Sequence, residues 1–144
     1  MAQIKIPKEK VAIVLIEPQN DFLSEGGTMY AHIKEQLAER HVIANLQDLL
    51  EKARGQVAKI FYCPFHPFDP GFPELKKGGP ACEGLRGIEM DMEADWGTGA
   101  WLRGTPGPEI IKELTPQPGD VVVEGKKTPR RVPFDWFGLL SAGK

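Results

Sequence analysis

The run Val11-Ala12-Ile13-Val14-Leu15-Ile16, closed by Glu17-Pro18, decides the fold of this chain. It is continuously apolar and rich in β-branched residues, the pattern of a strand buried on both faces of a parallel sheet. Pro18 cannot donate to a strand ladder, so it ends the strand and sends Gln19, Asn20 and Asp21 into the loop beyond its carboxyl end. In open α/β sheets that edge is where ligands bind.

Working outward, Gly26-Gly27 marks a turn. Beyond it Ile33, Leu37, Ile43, Leu46, Leu50 and Ala53 recur at helical spacing between charged and polar residues, with Gly55 as the expected C-cap. A second apolar run, Val57 to Cys63, is closed by Pro64. Residues 11 to 63 therefore read as a βαβ unit with parallel strands and a right-handed crossover. From Pro64 to about Pro106 the chain is dense in Gly and Pro and lacks a sustained period, which points to an excursion at an active site or an interface. A short helix is expected from Pro108 through Leu114, and a third strand over Asp120-Val121-Val122-Val123-Glu124, with Gly125 and Lys126 at its carboxyl end.

The expected fold class is α/β: a single three-layer, parallel-sheet domain of Rossmann-like type over residues 1–144. With 144 residues and 41% hydrophobic content, the chain is long enough for one modest core. A formal net charge of −2 with no basic stripe gives no footprint for nucleic acid. No apolar stretch approaches the roughly 20 residues of a membrane span, and no signal peptide is evident, so a cytoplasmic location is expected. Cys63 and Cys82 form no C-x-x-C pair, and reduced thiols are expected of both. The loop after the first strand has Gly26-Gly27 but no G-x-G-x-x-G fingerprint, so a nucleotide cradle lacks its main signal.

Three segments together resemble the isochorismatase-like cysteine hydrolase family, which includes nicotinamidases and related amidohydrolases. The first is the apolar strand running into Gln19-Asn20-Asp21-Phe22-Leu23 and then Gly26-Gly27; it is the most specific. The second is the strand Lys59 to Tyr62 opening into a long loop, and the third is Pro118 through Lys126, similar to the family's strand that ends in a catalytic lysine. The resemblance implies a triad of aspartate as general base, lysine as electrostatic partner and cysteine as nucleophile. Asp21 and Lys126 take the first two roles, with Lys126 preferred over Lys127 because it follows Glu124-Gly125 directly. Such a pairing suits the chemistry, since a neighbouring ammonium lowers a thiol's pKa from its usual value near 8.5 while a carboxylate accepts the proton. Taken alone, Asp21 reads sooner as a helix or turn cap in an Asx-turn than as a catalytic base.

No cysteine follows Lys126 in this sequence. The resemblance therefore implies a hydrolase of a small amide or related C–N bond, truncated before its nucleophile and impaired in turnover. Cys63 is a weak substitute: it ends the strand beside the one leading to Asp21, but a packed free cysteine is usually inert. Cys82 lies in a loop far from any strand end. Phe22 and Trp96 are candidates for contact with substrate, and Phe65, Phe68, Phe72 and Trp101 could wall the same pocket or pack on a neighbouring subunit. His66 and Asp69 sit in the loop where nicotinamidase-type members carry an Asp-x-His metal cluster, but order and spacing differ, so neither a metal nor another cofactor is expected. The expected partners are a small-molecule substrate and a second copy of the chain. A non-catalytic remnant binding a small molecule or a partner subunit through its exposed sheet edge is the alternative.

Overall fold

The computed structural model describes residues 6–70 and 101–125. Both apolar runs form strands, β1 (Ala12–Ile16) and β2 (Lys59–Cys63). They pair in parallel, with Ala12 opposite Lys59 and Ile16 opposite Cys63. A third strand, β3 (Val121–Val122), pairs in parallel with β2 through Phe61 and Tyr62, giving the order β1-β2-β3. It is shorter than the five residues expected, although the backbone N–H of Val123 still reaches the carbonyl of Tyr62 at 2.8 Å.

Three helices lie between β1 and β2: α1 (Asn20–Leu23), α2 (Tyr30–Glu39) and α3 (Val42–Ala53). The helical period running from Ile33 to Ala53 is thus divided in two. The break is at His41, whose φ of 49° is left-handed and reverses the chain without a glycine. From α3, Leu50 and Ala53 are buried against Leu15, Ile60 and Tyr62 of the sheet, with Ile111 and Leu114 closing the same core and Ile43 and Leu46 packed at its margin. Residues 43, 46, 50 and 53 form one stripe of α3, so amphipathic spacing alone orients the helix. Burying each large aliphatic side chain there contributes about 1.5–3 kcal/mol.

Two expectations are corrected. The first concerns burial: β1 is covered on the Leu15 face, but Val14 and Ile16 on the opposite face are 38% and 55% exposed. The second is the helix expected over 108–114, which is only a 3₁₀ turn at Lys112–Leu114. Ile110 instead forms an antiparallel bridge with Gln19, and the Ile111 N–H donates to the Pro18 carbonyl at 3.0 Å. Pairing with the segment after β1 outweighs local helical propensity there. No helix among the described residues is long and apolar enough to cross a membrane.

Candidate active site at the carboxyl edge of the sheet

Parallel register brings the carboxyl ends of β1 and β2 side by side. The first residue past β1, Glu17, donates its backbone N–H to the carbonyl of Cys63 at 3.1 Å. Its φ of 56° is left-handed for a non-glycine residue with a long side chain, a conformation that persists only where the surroundings impose it and that clusters at functional sites. Pro18 then carries the chain to Gln19, which is completely buried.

Gln19 uses its whole amide. Its Oε1 accepts from the backbone N–H of Phe65 at 2.7 Å, and its Nε2 donates to the carbonyls of Phe65 at 2.9 Å and Pro108 at 2.6 Å. One side chain thereby ties the exit of β2 and the segment around residue 108 to the end of β1. Asn20 extends the tie, with Nδ2 donating to the Pro106 carbonyl at 2.8 Å and Oδ1 accepting from Ser24 Oγ at 2.6 Å.

Asp21, the expected general base, is 3% exposed. Its Oδ1 accepts from Thr28 Oγ1 and its Oδ2 from the backbone N–H of Trp101, each at 3.1 Å. Its own N–H donates to the Gly107 carbonyl at 2.9 Å, and its carbonyl accepts from Met29 N–H at 2.8 Å. A Cβ at position 107 would collide with the Asp21 carboxylate, so glycine is needed there for the close approach. Gly27 has the same role on the other side, since a Cβ there would strike the carbonyls of Asn20 and Asp21. The second glycine after the Gln-Asn-Asp motif thus has a steric reason, and the first has a left-handed φ of 86°. A cavity of about 410 Å³ opens beside this turn, lined by Asn20, Asp21, Ser24, Gly27, Thr28 and Thr105 among others.

Of the other expected site residues, Lys126, Cys82, Trp96 and Phe72 lie outside the described residues. Cys63 is within them: it is in no disulfide, is 1% exposed, and packs with Phe61 and Val123 on the sheet face opposite α3. Phe22 meets Trp101 edge to face at 4.8 Å between ring centres, and Trp101 meets Phe65 at 5.2 Å. His66 and Asp69 both contact Arg103, whose Nε donates to Asp69 Oδ1 at 2.7 Å and whose Nη2 lies 3.2 Å from His66 Nε2. A guanidinium thus sits between the two side chains considered for a metal. Among the described residues no group of three or more His, Cys, Asp or Glu side chains is poised to hold an ion.

The sequence places Gln19 and Asn20 in the motif after β1 but does not show what they bind, because their backbone partners lie 46 to 89 residues away. Glu17 is absent from the expected site, and its signal is a carboxylate placed directly at the end of a six-residue apolar run.

Residues 11–132 match the model of the isochorismatase domain. The chain belongs to the isochorismatase family. Among curated proteins it is similar to the ureidoacrylate amidohydrolase RutB of Rhizobium rhizogenes, 25% identical over 126 residues, covering 83% of this chain and 49% of that protein. In fold it is similar to a cysteine hydrolase from Pseudomonas syringae pv. phaseolicola, with a TM-score of 0.58, 20% identity, and coverage of 96% of this chain and 56% of the other. An isochorismatase-like hydrolase from Alkaliphilus metalliredigens superposes with a TM-score of 0.50 at 20% identity, over 81% of this chain and 52% of its own. This isochorismatase-family chain therefore spans about half the length of the relatives it matches.

Proposed function

We propose that this chain carries the acid and lysine side of a cysteine-hydrolase site for a small amide or ureido C–N bond, and that it turns over poorly because Cys63, the thiol among the described residues, is buried. The observation that carries the reading is the junction of strand ends, where Glu17, in a left-handed conformation, is hydrogen-bonded through its backbone to Cys63. Of the two carboxylates near that junction, Asp21 is the one named by the motif, but its oxygens are taken up by Thr28 and Trp101. Glu17, directly at the end of β1, is taken as the acid on this reading, with Lys126 in the electrostatic role that the resemblance implies. Similarity to a ureidoacrylate amidohydrolase supports a substrate with a ureido or amide group. Cys63, packed into the sheet face, is a structural thiol on this reading.

The test is ammonia release from a panel of small amides and ureido acids, together with calorimetric binding of a non-hydrolysed amide. Turnover at background is expected, with binding weakened about tenfold in Glu17→Gln and in Lys126→Met. Hydrolysis that disappears in Cys63→Ser would make Cys63 the nucleophile and overturn the impaired reading.

The exposure of Val14 and Ile16 on the uncovered face of β1 favours a second reading, association with another copy of the chain without catalysis. Sedimentation analysis across a concentration series tests it: a dimer that Ile16→Glu dissociates is the expected result, and a wild-type monomer at high concentration excludes the reading.

A further inference from the structure

Three non-glycine residues among those described have left-handed backbones: Glu17, His41 and Trp101. Trp101 is the bulkiest of them and the least suited to its φ of 56°. Such a conformation survives only where its neighbours determine it. Four groups do so here. The Trp101 N–H donates to Asp21 Oδ2 at 3.1 Å, and its carbonyl accepts from the N–H of Phe68 at 2.7 Å. Its ring is set edge to face on Phe22 and on Phe65, with interplanar angles of 61° and 64°.

The carboxylate is itself built into place. Thr28 orients its other oxygen, Gly107 stands against it where no Cβ would fit, and the residue is 3% exposed. A group enclosed in this way is poorly arranged to take a proton from a substrate or a thiol, but well arranged to accept a backbone N–H. An ionised acceptor holds such a donor about twice as strongly as a neutral one. We infer that Asp21 is a positioning residue whose carboxylate locks the left-handed backbone of Trp101 and so fixes the aromatic wall of Phe22, Trp101 and Phe65 at the carboxyl edge. Its functional meaning rests on reading that edge as the site; its physical test does not.

The experiment is a set of double-mutant comparisons on the whole chain, read by urea unfolding and by hydrogen exchange at the Trp101 amide. Asp21→Asn keeps the size of the side chain but presents a neutral amide to the N–H. It is expected to speed Trp101 amide exchange at least tenfold while leaving the β2 amides unchanged. In a Trp101→Phe background, still aromatic and still left-handed, the full effect should remain. Should Asp21→Asn not fold, Asp21→Glu, which displaces the carboxylate by one methylene, serves in the same comparisons. Unchanged exchange at Trp101, or an equal rise at the β2 amides, overturns the inference. Neither readout involves turnover, so a failed hydrolase reading and a failed positioning role give separate results.

Discussion

The two ends of the sheet differ in the balance of interactions that hold them. At the amino end Arg54, just past α3, donates from Nη2 to Asp120 Oδ2 at 3.0 Å and to the Tyr62 hydroxyl at 3.3 Å. Those contacts join side chain to side chain, Asp120 Oδ2 also accepts from the nearby Gln117 N–H at 3.0 Å, and the ion pair is partly open, with Arg54 24% and Asp120 6% exposed. At the carboxyl end Gln19, Asn20 and Asp21 bond mainly to backbone groups of segments far away in sequence. A contact between side chains fastens elements whose shape is already set, and a matched replacement can stand in for it. A contact to backbone sets the path of a segment that has no regular structure of its own, so few side chains can replace it. The end that a small molecule would meet is the one whose shape depends on individual residues.

That contrast can be broken by comparing mutations at the two ends. The largest effect is expected for Gln19→Ala, which removes three hydrogen bonds and leaves the buried Phe65 N–H without its acceptor. A loss of about 3–5 kcal/mol in urea unfolding is expected. Asp120→Asn at the other end leaves the Arg54 charge facing a neutral amide, but a partly exposed guanidinium can recover water, and about 1–2 kcal/mol is expected from the same measurement. A loss at Asp120 equal to that at Gln19 would abolish the distinction between the ends.

The smallest effect, from Tyr62→Phe, sharpens the comparison through pH. Burial pushes the Tyr62 hydroxyl above its ordinary value of 10.0 and Asp120 pushes it the same way, against the opposing influence of Arg54. The folded chain therefore keeps this proton at a pH where the unfolded chain has released it. Stability from this source is complete below about pH 10 and falls as pH rises through and beyond that value. Tyr62→Phe should lower stability by about 0.5–1 kcal/mol near neutrality and flatten the decline in Tm between about pH 9 and 11. An unaltered alkaline slope in the variant would remove Tyr62 from the account.

The regular part of the fold was legible because it is written locally. Val11 to Ile16 is apolar throughout, Val57 to Cys63 is apolar but for Lys59, and each is closed by a proline within two residues, so strand, boundary and parallel pairing followed from composition and from the helix-length connection between them. The α2–α3 break was not legible, since His41 carries no intrinsic preference for a left-handed turn comparable to that of glycine. The helix expected at 108–114 failed for a tertiary reason, the pairing of Ile110 and Ile111 with the segment after β1. At the site, Asp21 and its double glycine stood out as a motif, and the structure explains the glycine by the backbone it lies against. What Asp21 touches could not be read, because Trp101 is 80 residues further along the chain.

The Gln19 tie also bears on the order in which the molecule forms. Its amide joins residues 46 and 89 positions downstream, so the ring that it closes exists only after both strands have paired and the chain near Pro108 has returned. Non-local closures of this kind form late and slowly. During synthesis the first βαβ unit can assemble while Pro108 is still unmade, and until that residue arrives the carboxyl edge stands open with a buried amide half satisfied. The newborn protein would pass through an interval in which its first βαβ unit is formed while the carboxyl edge is open to chaperones and proteases.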